Sequence, residues 1–386
     1  MQRLRHLPLR SNKISRIFGI FGLIILHLVV GQLASAQGRN ICASDAELDF
    51  VCGLDHPEDL ARLPHSNWLI ASGFAPGAGL KLIDMRRRTG AVWFHATPDQ
   101  IRPDPGQYSD CAAPPAPDIF NARGLHLRRL SRGHARLFVV NHGGRESIEV
   151  FDITYGGAVR PQLSWTGCLL MPPSHVGNAV STYRDGTVLV TVLTRPGASI
   201  TDFERGYATG GVFERAPKAS EFHLIPGTEL PGNNGLEVAR DDSGFYTIAF
   251  GWRAVAMFHR NATGGPYAVI PTPDFMPDNI HWDGGRLIAA GMISDEPACG
   301  GKRQIIDGVA DKMLCHRGWR VAELNVSRYQ WHILGEGQRN ASFNGVSSAV
   351  LYGSSLWMGS YQADRVAIYR ARSASAGRRS GALPTP

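Results

Sequence analysis

A strand–turn–strand unit recurs six times between residues 68 and 370, and no other feature constrains this chain more. The units are Trp68–Gly73 with Leu80–Asp84, Leu137–His142 with Ile148–Asp152, and Val188–Leu193 with Gly211–Arg215. Then come Phe245–Phe250 with Ala254–Arg260, Leu287–Met292 with Trp319–Leu324, and Leu356–Ser360 with Arg365–Arg370. Each is rich in Val, Ile, Leu, Phe, Tyr and Trp and is bounded by Gly, Pro, Asn or Asp, which is the signature of strands and turns. No long segment keeps an i, i+3, i+4 apolar stripe, so the chain reads as all-β. Six similar units at blade-like spacing predict a six-bladed β-propeller, in which each sheet buries its faces against its neighbours. A two-sheet sandwich is the alternative, but it gives no reason for six similar units.

A short polar loop lies about ten residues ahead of each unit. In order these are Pro57-Glu58-Asp59, Asn121-Ala-Arg123-Gly124, Gly177-Asn178-Ala179, Asn233-Asn234-Gly235, Pro277-Asp278-Asn279 and Asn344-Gly-Val-Ser347. In a propeller such positions face the central channel, so residues hundreds of positions apart meet on one axis. Glu58, Asn178, Asn234, Asp278 and Asn279 then form a set of hard oxygen donors, two carboxylates and three amides. That set suits calcium, which takes six to eight oxygens in flexible geometry. It lacks the His and Cys that zinc or copper would draw. The alternative for any one loop is a local turn, since Asn and Asp ahead of a strand bond their own backbone.

The order of these motifs from Pro57 to about Ala371 resembles the paraoxonases. More loosely it resembles the gluconolactonase, regucalcin and strictosidine-synthase-like superfamily of calcium propellers. Pro57-Glu58-Asp59-Leu60, Leu137-Phe-Val-Val-Asn-His142 with Ser147-Ile-Glu-Val-Phe, Asn234-Gly-Leu, Asp278-Asn279-Ile and Gly345-Val-Ser-Ser-Ala-Val-Leu-Tyr-Gly carry the likeness. It implies that Glu58, Asn178, Asn234, Asp278 and Asn279 bind a catalytic calcium, and that the activity is hydrolysis of lactones and aryl esters. It further implies catalytic roles for His142 and for the position held by Arg123. Two departures bear on this. Arg123 stands where the family carries a catalytic histidine, and a guanidinium is no general base near neutral pH. Ala179 stands where the family's structural calcium takes an Asp, leaving Asp59 alone, so one calcium is expected rather than two. The family's disulfide between the two chain ends has no counterpart, since no Cys follows Cys315.

The N-terminus reads as an address. Met1 to Arg16 is basic, Ile17 to Gly31 is apolar apart from His27, and Ala34-Ser35-Ala36 offers a cleavage site. Residues 1–36 are therefore expected to be a signal peptide, 37–373 the propeller and 374–386 a flexible tail. An uncleaved anchor is the alternative; either way the body is exported, to a periplasm or beyond. After cleavage no second apolar stretch reaches the ~20 residues of a spanning helix. Export explains an even count of six cysteines without C-x-x-C spacing, which favours disulfides. Fifteen pairings are open, and locality suggests Cys42–Cys52 and Cys299–Cys315, leaving Cys111–Cys168. Asn261, Asn325 and Asn340 begin N-x-S/T sequons, which matter only in a eukaryotic host.

The formal charge of +7 invites a nucleic-acid partner, but its distribution removes one. Five of the 40 basic residues lie in the first 36 positions, leaving 35 against 33 acidic ones. With no basic stripe, the footprint of a phosphate-backbone binder is missing. Among other motifs, no G-x-S-x-G elbow, H-E-x-x-H, Walker loop or EF-hand spacing occurs. His175 and His281 lie closest to the ligand loops; each could equally be a hydrogen-bonded filler. Two insertions, Thr97–Phe120 and Ser294–His316, are long enough to be lids or binding loops.

Two functions remain. One is a calcium-dependent hydrolase acting on a small ester or lactone, with the metal as Lewis acid. In it Arg123 adds positive charge to the oxyanion or to a substrate carboxylate, and Glu58 or His142 orients or deprotonates water. The other is an exported binding propeller with a structural calcium.

Overall fold

The computed structural model describes residues 42–156, 159–261 and 264–370. The signal-peptide reading of 1–36 and the tail reading of 374–386 lie outside them. Six four-stranded antiparallel sheets follow one another as blades of a β-propeller. Four blades are built from consecutive strands, and in the fifth a two-stranded hairpin, Ile305–Ile306 with Val309–Ala310, intervenes between the second and third strands. The sixth takes three strands from the C-terminal part, Val346–Tyr352, Ser355–Ser360 and Arg365–Arg370, and its outermost strand, Leu48–Cys52, from the N-terminal part. Phe50 pairs with Ala367 in that closure. It ties the first described strand to the last, so the ring cannot open without breaking a sheet.

Blades pack through apolar faces, as alternation along each strand demands. Between the first two blades, Phe94, Phe120, Phe151 and Trp165 are all buried, with Phe94 edge-on to both Phe120 and Phe151.

The channel-facing strands share one irregularity. Register slips between Ala122 and Leu125, Gly177 and Val180, Asn233 and Leu236, Pro277 and Ile280, and Val346 and Ser348. The residues skipped are those of the polar loops: Arg123, Asn178, Asn234, Asp278 with Asn279, and Ser347. A bulge leaves its extra residue unpaired and re-aims its side chain, so five bulges in register convert strand residues into a ring. Glycine makes this crowding possible. A Cβ on Gly124 would lie 2.5 Å from the Asn178 carbonyl oxygen, and one on Gly235 2.6 Å from that of Asp278.

The cysteines pair as 42–52, 111–168 and 299–315. Such bonds belong to oxidising compartments. Among the described residues no helix is long and apolar enough to cross a membrane. The two insertions do different work. Residues 101–109 lie along the outer strand of the second blade, with Ile101 beside Trp165 and Ser109 beside Cys168, and cover an otherwise open edge. The Cys111–Cys168 bond fixes that cover. The second insertion reaches the channel mouth.

Candidate functional site

The five oxygen-donor residues come together. Glu58, Asn178, Asn234 and Asp278 line one cavity of ≈130 Å³ at the end of the channel where the bulges lie. Asn279 joins them by donating its Nδ2–H to Glu58 Oε1 at 2.8 Å. Asn234 makes the corresponding side-chain bond to Asp278. Asn234 and Asn279 thus each spend an amide N–H on a carboxylate, which leaves their oxygens over. The Oδ1 atoms of Asn178, Asn234 and Asn279 are buried and accept nothing. Buried acceptors are nearly always paired. Among the described residues twelve buried side-chain polar atoms lack a partner, and six belong to this end of the channel: these three, Asn121 Oδ1, Arg123 Nε and Glu146 Oε2.

The acids are under strain too. Burial, then the charges of Asp59 and Asp278, push Glu58 well above the usual carboxylate range. Burial and then Asp59 do the same to Asp278. Two carboxylates that resist ionisation beside three unsatisfied amide oxygens describe a site short of positive charge. An all-oxygen set with spare lone pairs fits calcium and gives no soft ligand to a transition metal. The sixth loop supports the ring without joining it: Ser347 and Ser348 hydroxyls donate to the Glu58 carbonyl at 2.5 and 2.9 Å.

Arg123 stands beside the ring, its guanidinium 3.2 Å from the centre of the Phe74 ring. Burial lowers its pKa to about 10, opposed by Glu58 and Glu146, so it stays cationic at neutral pH. His142 contacts the Gly177 carbonyl through Nε2 at 2.7 Å. A carbonyl only accepts, so Nε2 carries the proton. Burial and then Arg123 hold the His142 pKa at about 4, and the imidazole is neutral. His142 therefore secures the backbone next to Asn178. His175 caps the Pro173 carbonyl and lies outside the ring.

Asp59 and His281 belong to a second cluster further along the axis. Asp59 is fully buried and accepts from the backbone N–H groups of Leu60 and Leu125 at 2.8 and 2.7 Å. His281 Nε2 lies 2.9 and 3.1 Å from its two oxygens. The other face of that imidazole, Nδ1, is 3.6 Å from Glu237 Oε2. Glu237 also accepts from Ser181 and from the backbone of Trp282 and Val238. The imidazole fills the space between two carboxylates, and Asp59 has no lone pair to spare for a metal.

Sequence reasoning missed Glu146, Glu237 and His126. Glu237 and His126 sit inside strands, where period-two alternation gives no sign of which polar residue faces the axis. Glu146 follows Gly143-Gly144-Arg145 and reads as an ordinary turn residue. The mouth was also unread. Phe74, Phe203, Phe250, Met276, Met292 and Met313 wall the cavity with apolar surface. Arg303 of the second insertion reaches it, donating to Glu204 Oε1 at 2.7 Å, while Arg253 donates to Glu204 Oε2 at 2.8 Å.

Fold and site together define a six-bladed propeller carrying an axial ring of oxygen donors. No family model matches the chain, and no curated protein does. Solved propellers are similar to it. The luciferin-regenerating enzyme aligns at a TM-score of 0.48 and 13% identity, covering 83% of this chain and 93% of that one. Regucalcin from Agrobacterium tumefaciens, a calcium-binding protein, aligns at 0.44 and 10%, covering 82% and 90%. Aldose sugar dehydrogenase from Streptomyces coelicolor, in its PQQ-bound form, aligns at 0.45 and 12%, covering 84% and 97%. These carry unlike chemistries, so the site has to carry the functional argument.

Proposed function

We propose that the chain is a calcium-dependent hydrolase of esters or lactones. The observation behind this reading is the set of three buried, unpartnered amide oxygens beside two carboxylates that resist ionisation in one apolar-walled cavity. Glu58, Asn178, Asn234, Asp278 and Asn279 would hold the ion. Bound there, calcium would supply a Lewis acid that polarises an ester carbonyl and stabilises the oxyanion.

The chain's own residues supply the rest. Arg123 adds a fixed positive charge at the edge of the ring, steadied by the Phe74 face. His142 holds the Gly177 carbonyl and so fixes the backbone that presents Asn178. The aromatic and methionine walls take the apolar part of a substrate and exclude water. Among the charges around the cavity, two ring carboxylates match one divalent ion, Arg123 faces Glu58 and Glu146, and Arg253 and Arg303 share the single carboxylate of Glu204.

The test is a panel of lactones and aryl esters on the purified protein, with and without a calcium chelator. Turnover abolished by the chelator and restored by calcium is expected. Arg123 in place of the histidine of the resembled family favours a second reading, a binding propeller. That reading gains if calcium raises the melting temperature while no substrate of the panel turns over.

A further inference from the structure

Glu146 is a half-buried acid outside the ring of five oxygen donors. It lies at the ring end of the second blade, in the turn between Asn141 and Ser147. Its backbone carbonyl is anchored by the Met171 N–H at 3.1 Å. Its Oε2 is buried and accepts no hydrogen bond, 3.8 Å from His142 Nε2. It and Glu58 flank the Arg123 guanidinium, whose own buried Nε is unpartnered. Its neighbour in the third blade is Gly177, the residue before Asn178. The Arg123 guanidinium thus stands between Glu146 and the ring residue Glu58.

We propose that Glu146 is the proton acceptor of this site. The inference rests on the hydrolase reading above and adds to it the group that no histidine supplies. His142 is a poor candidate, because its Nε2–H is committed to a carbonyl and its basicity is low. In the step, a water oxygen bonds to the ester or lactone carbonyl carbon while one of its protons passes to the Glu146 carboxylate. The carbon–oxygen bond to the leaving group then breaks, and Glu146 returns the proton to that oxygen. Water is the only co-reactant, and Glu146 ends as it began.

The groups facing Glu146 are Arg123 from the inner strand of its own blade, His142 from its own turn and the Gly177 backbone from the third blade. Burial raises its pKa to about 7, with Arg123 and the backbone N–H of Gly177 opposing. A general base with a pKa near the working pH is the effective one.

Glu146→Gln and Glu146→Ala test this on the full chain, with calcium affinity measured by calorimetry alongside. Expected are a fall in kcat of ~10²–10⁴-fold, loss of the rise in activity with pH near 7, and calcium affinity within about twofold of wild type. Formate should restore part of the Ala variant's activity. With calcium bound, so that Glu58 and Asp278 stay ionised, an infrared titration should show a carboxyl band near pH 7 in the wild type that the Gln variant lacks. Wild-type kcat and an unchanged pH profile in Glu146→Gln would overturn the assignment while leaving the hydrolase reading intact. A wild type with no calcium-dependent turnover on any ester or lactone overturns both.

Discussion

Two clusters of carboxylates lie along the channel, and they solve the same electrostatic problem in opposite ways. At the bulge end, Glu58 and Asp278 face each other with amide oxygens that accept nothing. Further along, Asp59 and Glu237 are buried and enclose the imidazole of His281. Burial works against a charged imidazole, yet Asp59 and Glu237 raise its pKa to about 10. For Glu237, burial is outweighed by the His281 bond and the neighbouring His126, so its pKa falls. One cluster has its cation built into the sequence. The other sets two carboxylates beside three unpartnered amide oxygens, and on the proposed reading calcium supplies its cation. Closed and open charge sites on one scaffold therefore differ by whether a residue such as His281 fills the gap.

The comparison breaks most visibly at Asp278. Asp278→Ala should abolish calcium-dependent turnover and the stabilisation calcium gives, which at a concentration 100 times Kd is about 2.7 kcal/mol. Melting curves with and without calcium measure it. A variant that still gains stability from calcium would move the site elsewhere.

His281→Ala should be the most damaging change at the other cluster. It leaves Asp59 and Glu237 buried without their partner, at a cost of about 3–5 kcal/mol. Denaturant unfolding should show this loss both with chelator and with calcium. A loss visible only in calcium would mean that the two clusters are one site.

A pH series sharpens the contrast. Glu58 and Asp278 have folded pKa values above their unfolded ones, so the folded chain binds more protons between the ordinary carboxylate range and about 8. Stability of the chelated protein should therefore fall as pH rises through that window. Calcium should remove this slope, because it replaces the protons. The raised pKa of His281 gives a further decline between its unfolded value and about 10, which calcium should leave alone.

Smaller effects follow at the edges of each cluster. Arg123→Ala removes a positive charge near Glu58, and calcium affinity should rise by roughly three- to tenfold. Arg62→Gln at the far rim loses a partly exposed pair with Asp283 and should cost about 0.5–1 kcal/mol with calcium affinity unchanged.

How much of this the sequence disclosed follows the same division. The propeller was legible because six units repeat, and the five ring residues because each sits at a matching point ahead of its unit. Local pairing also anticipated the three disulfides. The closed cluster was legible only in part: His281 stood out by its nearness to the ligand loops, whereas His126 and Glu237 lie at ordinary alternating positions inside strands. The stacking of Arg123 on Phe74 links residues 49 apart by no pattern at all. The insertion around Cys111 reads as a lid in sequence, yet it covers the second blade's edge because an open strand there would be unpaired. Only the insertion closed by Cys299–Cys315 reaches the mouth.

The central claim, that the open cluster is a calcium site, is tested most directly by calorimetric titration of the chelated chain with calcium. One equivalent bound per chain is expected, lost in Asp278→Ala and kept in Asp59→Asn. No saturable binding, or binding that survives Asp278→Ala and disappears in Asp59→Asn, would contradict it.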